Sequence, residues 1–231
     1  MNYCRPSPVA ATLLVLAKAP IPGLAKTRLT PPLSPRDAAR VAAASLLDTL
    51  ESMSRSPVAH HIVALTGELS DAECGDEVAS ALSDFEVIPQ RGASFGERLA
   101  NAHADAARYG MPVLQIGMDT PQIGPEVLTW AARELVLRED ALLGPADDGG
   151  WWALGLPMPQ PARTLVEVPM STDRTGELTR DAMLRCDLRV RSLPRYNDVD
   201  TFADAVAVAA ESDGRFARLV QQLHRSVLAS R

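Results

Sequence analysis

Val9 to Ala17 reads V-A-A-T-L-L-V-L-A, an apolar run without polar alternation that stops at Lys18-Ala19-Pro20-Ile21-Pro22-Gly23. A strand with one face in water alternates, whereas a strand covered on both faces does not. The run therefore predicts a strand inside a parallel sheet. It is too short to span a bilayer, and it lacks the small-residue cleavage site and polar exit of a signal peptide. The prolines and glycine that follow exclude helix or regular strand.

The rest of the chain alternates in kind. Ser34-Pro35 opens a helix to about Ser54, with Ser34 as cap and Pro35 in the first turn. Strands are predicted at His61–Thr66, Phe85–Pro89, Pro112–Met118, Ala141–Gly144, Trp151–Leu156 and Leu188–Leu193. Helices are predicted at Ser70–Leu82 with Ser70 as cap, Ser94–Tyr109 ended by Gly110, Gly124–Arg138, Thr172–Cys186 and Thr201–Ala210. An amphipathic helix follows from Arg215, its apolar Phe216, Leu219, Val220, Leu223 and Val227 suited to packing on the same domain or on a second copy. The expected architecture is α/β, a mainly parallel sheet with helices on both faces in one domain, with right-handed crossovers. Its core is placed at about 9–210 of 1–231, and its last helix at about 214–230. Pro157–Pro161 reads as an excursion from the domain.

Composition narrows the function. Net charge is −6, with 29 acidic and 23 basic residues, and no basic excess of the kind nucleic-acid binders show. Arg5, Lys18, Lys26 and Arg28 gather at the start, which suits a small anionic ligand better than a polyanion. The three cysteines Cys4, Cys74 and Cys186 are scattered, which argues against zinc and for a reducing, cytoplasmic setting. The four histidines show no ligand spacing, and no G-x-S-x-G elbow is present.

Ligands of open α/β sheets bind beyond the carboxyl ends of the strands, so the segments after strands hold the candidates. Ala17 to Leu29 carries Lys18, Gly23, Lys26 and Arg28 after the first strand. Lysine gives a point charge and arginine a fork for a di- or triphosphate, and Gly23 permits close main-chain approach. The segment is neither a Walker A loop nor a G-x-G-x-x-G turn. Asp119 follows a Val, Leu and Ile strand and is the best single Mg²⁺ ligand; capping the next turn is its plain alternative. Alternation puts Asp198 and Asp200 on one side of an extended segment. Asp200 is a second candidate ligand, or the cap of the helix at Thr201. Asp148, in Gly144-Pro145-Ala146-Asp147-Asp148-Gly149-Gly150-Trp151-Trp152, suits metal binding, acceptor orientation or general base work; a plain turn is the alternative. In Arg91–Leu99, Ser94 with Glu97 makes a capping box, leaving Gly92 and Gly96 as candidates for backbone contact with a nucleobase.

Taken together, A-K-A-P-x-P-G-x-x-K-T-R-L, D-T-P, G-P-A-x-D-G-G-W-W, M-S-T at Ser171 and D-V-D-T resemble a bacterial glycosyltransferase-A-like family of unknown function. That family is related to molybdenum-cofactor and phospholactate guanylyltransferases, and Lys26–Leu29 also resembles the latter. The resemblance implies a Rossmann-like GT-A domain, with nucleotide phosphates over the first loop. It implies Mg²⁺ or Mn²⁺ on Asp119, with Asp200 second. Two departures stand out. The D-x-D pair of sugar transferases is reduced to Met118-Asp119-Thr120, which moves the reading toward nucleotidyltransferases. Trp151 and Trp152 replace the family's tyrosines, which bears on acceptor choice.

The expected function is metal-dependent transfer from an activated nucleotide, either glycosyl or nucleotidyl, to a small-molecule acceptor. Asp119 and Asp148 are the catalytic candidates. Ala17, Lys18, Gly23, Lys26, Arg28, Gly92 and Gly96 are the nucleotide-binding ones. Neither nucleic acid nor membrane insertion is expected, and a homodimer is compatible with the last helix. Two other readings remain: a nucleotide-binding module that has lost catalysis, motivated by the lone aspartate, and a nucleotide-sugar hydrolase.

Overall fold

The computed structural model describes residues 7–229, so Cys4 and Arg5 lie outside the described residues. The first apolar run forms strand β1 (Val9–Lys18), whose interior residues are buried on both faces. It pairs in parallel with β2 (Val58–Thr66) on one side and β4 (Val113–Gly117) on the other. With β3 (Glu86–Pro89), β5 (Ala141–Pro145), β6 (Trp151–Leu156) and β7 (Val190–Ser192), the sheet has seven strands in the order β3-β2-β1-β4-β6-β5-β7. Every pairing is parallel except those of β6, which runs antiparallel to β4 and β5. The chain winds outward from β1 through β2 and β3, then returns to β1's other edge as β4. The gap between β1 and β4 is thus the switch point, where a crevice forms beyond the strand ends.

Helices cover both faces. α1 (Pro35–Ser54), α2 (Gly75–Leu82) and α4 (Pro125–Arg138) enclose one core around Leu13, Val15, Leu50, Leu114 and Leu128. α3 (Phe95–Ala106) and α5 (Thr175–Arg185) enclose the other, around Leu14, Leu99, Leu154 and Met183. α6 (Phe202–Ala210) and α7 (Arg215–Ala229) build a third cluster with α1, in which Phe216 and Val220 are buried. The amphipathic last helix therefore packs on its own domain.

The caps follow the expected chemistry in most places. Ser34 accepts from Asp37 N with Pro35 in the first turn, and Ser94 with Glu97 completes a capping box. Gly110 ends the next element with positive φ. Three expectations are corrected. Ser70 caps no helix: Leu69–Asp71 is a single 3₁₀ turn, and α2 starts at Gly75 after Cys74 in the left-handed region. α5 starts at Thr175 rather than Thr172, because Thr172 N and Oγ1 bond to the Thr175 hydroxyl in a turn. The excursion after Pro157 returns as a 3₁₀ segment, Gln160–Glu167, whose Ala162 and Leu165 are buried in the α3 side of the core.

α7 lacks a capping side chain of its own and borrows one. Asp48, buried in α1, accepts from Arg215 N at 3.0 Å and Phe216 N at 2.9 Å. Burial still pushes its carboxyl up from the usual range. Removing a helix N-cap costs about 1–2 kcal/mol. Asp48→Ala should therefore lower the unfolding free energy by that amount, read as a lower urea midpoint at unchanged m-value; an unshifted midpoint would show that α7 holds without this cap.

Candidate active site

Beyond the carboxyl ends of β1 and β4 lies a cavity of about 700 Å³. Ala17, Lys18, Arg28, Asp119, Asp148, Asp198 and Asp200 all line it. Four chain segments deliver these residues, and each is fixed by contacts unrelated to any ligand. Ser45, buried in α1, donates to Met118 O at 2.6 Å and so holds the backbone beside Asp119. Val199 N donates to Asp119 O at 2.9 Å, drawing residues 197–200 to the end of β4. Gln122 Nε2 donates to Asn197 O and Tyr196 N to Pro145 O, which anchor the same segment on both sides. Val199 is fully buried while Asp198 and Asp200 face the cavity, as strand alternation requires.

The cations are already engaged. Lys26 Nζ sits 2.9 Å from Asp119 Oδ2 and also donates to Val199 O, with its side chain only 11% exposed. Arg28 donates to Asp200, and Asp200, Asp148 and Asp198 hold its pKa above the ordinary value. Lys18 Nζ donates to Leu24 O. The open cationic patch expected from sequence is thus, at Lys26 and Arg28, a set of ion pairs between the first loop and the aspartates. Asp119 caps nothing, and Asp200 is not the cap of α6: Thr201 takes that role in a capping box with Asp204.

Asp198 is the residue sequence reasoning undervalued. Burial, then Asp148, raises its pKa to about 6, with Asp119 adding to the rise. Lys26 pulls it down without cancelling them. The available signal was its alternation with Asp200 around an apolar Val199. Asp148 accepts from Gly150 N at 2.7 Å, which closes the turn before β6. Trp151 is partly buried and donates to Thr179, while buried Trp152 donates to Pro194 O and meets Tyr196 edge-on.

Two glycines have packing roles instead of a place in the cavity. A Cβ on Gly92, at φ +132°, would come within 2.6 Å of Glu97 Cβ, and one on Gly96 within 2.3 Å of Leu165 O. They let α3 close on its own entry turn and on the 3₁₀ segment. Gly23, at φ +76°, turns the first loop and does not line the cavity either.

Metal fit can be judged from the donors present. Asp119, Asp148, Asp198 and Asp200 are hard oxygen ligands, the type Mg²⁺ and Mn²⁺ take. Among the described residues, no three His, Cys, Asp or Glu side chains converge closely enough to enclose an ion. An ion held here would take one or two of these carboxylates and complete its shell with water and substrate phosphates.

The seven-stranded, mostly parallel sheet with helices on both faces is a nucleotide-diphospho-sugar transferase type of fold. Residues 49–172, more than half of the chain, match the family described as "Uncharacterized protein conserved in bacteria (DUF2064)", and the chain belongs to that family. The structure is similar to that of a Desulfovibrio desulfuricans G20 protein provisionally named a nucleotide-diphospho-sugar transferase. That pair has a TM-score of 0.81 at 25% identity, over 95% of this chain and 97% of that one. A cytidylyltransferase from Leptospira borgpetersenii serovar Hardjo-bovis gives 0.55 at 14% identity, over 95% and 96%. A 4-diphosphocytidyl-2C-methyl-D-erythritol synthase gives 0.56 at 15%, over 88% and 98%. The last two likenesses show the fold alone. No curated protein matches the chain in sequence. Among the described residues, no helix is long and apolar enough to cross a membrane.

The raised Asp198 pKa makes a sign-specific prediction. A carboxyl whose folded pKa lies above its unfolded value favours folding when protonated, and that contribution is lost as pH rises from about 4 to about 6. Asp198→Asn, which is never charged, should raise Tm at pH 7.5 and leave it nearly unchanged at pH 4.5. Equal shifts at both pH values would show that Asp198 carries no burial penalty.

Proposed function

We propose that this chain is a metal-dependent transferase acting on an activated nucleotide, moving either a sugar from a nucleotide-diphospho-sugar or a nucleotidyl group from a nucleoside triphosphate to a small acceptor. The observation that carries the reading is one cavity lined by Arg28, Asp119, Asp148, Asp198 and Asp200, with Lys26, outside the lining, paired to Asp119. Relatives of the same fold support it, among them the provisionally named nucleotide-diphospho-sugar transferase and the cytidylyltransferase.

Charge balance argues for the metal. On the aspartate side of the cavity the four carboxylates outnumber Lys26 and Arg28, which pair with two of them, and burial, with Asp148 and Asp119 adding to it, raises the Asp198 pKa. Phosphates alone would deepen that excess, so an anionic donor needs a divalent cation beside it. Bound Mg²⁺ or Mn²⁺ would neutralise charge developing on the leaving group. Asp119 and Asp200 are the residues assigned to hold it. Lys26 and Arg28, which now pair with these two aspartates, would then be free to bind phosphate oxygens. Asp148, which also lines the cavity, would accept the proton of the acceptor hydroxyl as that oxygen bonds to the sugar's anomeric carbon or to the α-phosphorus, while the bond to the leaving nucleoside diphosphate or pyrophosphate breaks. With Met118-Asp119-Thr120 in place of a paired D-x-D, and Lys26–Leu29 resembling a guanylyltransferase stretch, guanine nucleotides are the first donors to test.

The test is a thermal-shift screen of nucleoside triphosphates, diphosphates and nucleotide-sugars, with and without Mg²⁺ or Mn²⁺. A ligand at roughly a hundred times its Kd stabilises a fold by about 2.7 kcal/mol, which is visible as a rise in Tm. We expect a hit that requires metal in the wild type and loses that requirement in Asp119→Asn. Asp119→Ala should keep the fold and lose turnover. A screen without any hit would sink the transferase reading, and metal-dependent binding without turnover on any acceptor would leave a binding module.

The exchange of partners predicts coupling between the two ligands. Lys26 competes with metal for Asp119 when no donor is present. Lys26→Met should therefore bind Mn²⁺ alone more tightly than wild type, by calorimetry, while binding nucleotide more weakly. Equal or weaker Mn²⁺ binding would show that this ion pair does not gate the metal.

A further inference from the structure

Arg98, on α3, lines the same cavity but shares none of its ion pairs. Among the described residues it meets no carboxylate, whereas Arg28 is paired to Asp200 and Lys26 to Asp119. Its Nε is buried and has no hydrogen-bond partner among the described residues. A guanidinium N–H shut away from acceptors is costly, and native proteins seldom leave one so. The Arg98 guanidinium lies instead over the Phe95 ring, 5.8 Å from the centroid. Phe95 also lines the cavity and is 44% exposed. The cavity thus has two charge regions: an aspartate side with its own cations, and an α3 side where one arginine has no counter-charge.

Arg98 is also held in place. Ser94 and Glu97 complete their capping box without it, so it is not needed to end the helix. Gly96 lets this first turn of α3 close against Leu165 O, which fixes the wall that carries Arg98. A guanidinium on a rigid wall, backed by an aromatic ring, presents a planar fork of donors matched to two oxygens of one anion.

We propose that Arg98 is an oxyanion anchor, binding a carboxylate or phosphate group of the substrate at the α3 side of the cavity, apart from the aspartates. The inference rests on the transferase reading for which substrate carries that group, and on the geometry alone for the anion. Two sources share this chemistry, a phosphate of the donor or an anionic group of the acceptor.

Inorganic phosphate is the probe, titrated by calorimetry into wild type, Arg98→Gln and Arg98→Lys. The expected result is that Arg98→Gln weakens phosphate roughly tenfold or more, the usual worth of a hydrogen bond to a charged group. Arg98→Lys, which keeps the charge and loses the fork, weakens it less; it also decides the matter if Arg98→Gln fails to fold. Folded variants that bind phosphate as tightly as wild type overturn the proposal, as does a wild type that binds none. The titration is then repeated on protein saturated with the nucleotide and metal found in the donor screen. Phosphate that still binds with the same dependence on Arg98 assigns the anchor to the acceptor, and phosphate that is excluded assigns it to the donor; both outcomes uphold the anchor. If no nucleotide binds, the transferase reading fails while the phosphate titration still decides the role of Arg98.

Discussion

The structure depends on β1 being buried on both faces and both edges. Its side chains enter two cores, and its backbone pairs with β2 and β4. A strand so enclosed leaves only its ends free, and its carboxyl end opens where β4 also ends. The first loop must therefore leave β1 within reach of the β4 end. Lys26 meets Asp119 across that gap. The catalytic proposal rests on this topological consequence more than on any single contact.

That consequence explains what the sequence could and could not reveal. Elements were legible wherever periodicity and punctuation agreed, as at Ser34-Pro35 or the Ser94–Glu97 box. They were misjudged where a polar residue looked like a cap but served a turn. Ser70 is the case of this kind, a good cap by type that sits in a single 3₁₀ turn, and the helix expected from Thr172 likewise starts later because Thr172 is bonded to the Thr175 hydroxyl in a turn. The antiparallel β6 was invisible for another reason. A strand buried on both faces reads the same in either direction.

At the site, residue type was legible and partnership was not. The segments after β1, β4 and β5, and the one leading into α6, all converge on one cavity, which the rule for open sheets anticipates. Sequence alone could not show that Lys26 and Arg28 would be neutralised by Asp119 and Asp200, because those partners lie far along the chain. Nor could it separate Asp198, which faces the cavity, from a plain surface aspartate. Gly92 and Gly96 show the reverse error: an unexplained glycine invited a ligand, and close packing of α3 accounts for it.

The acidic cluster is costly to the fold. Asp198 is partly buried, and burial first, then Asp148, raises its pKa. A chain selected for stability alone would place an amide or an apolar residue there. Lys26 and Arg28 offset part of the repulsion and are spent in doing so, since each cation bound to an aspartate is unavailable to a ligand. Such an arrangement gains from its ligands only when they arrive with both signs of charge. Under the proposed function a divalent ion would satisfy the carboxylates and phosphates the released cations, whereas either alone would leave one set unpaired. By linkage, each must then strengthen the other's binding by the same factor. The arrangement therefore suits a metal–nucleotide pair better than either component singly, and it ties the stability cost of the cluster to the ligand that would relieve it.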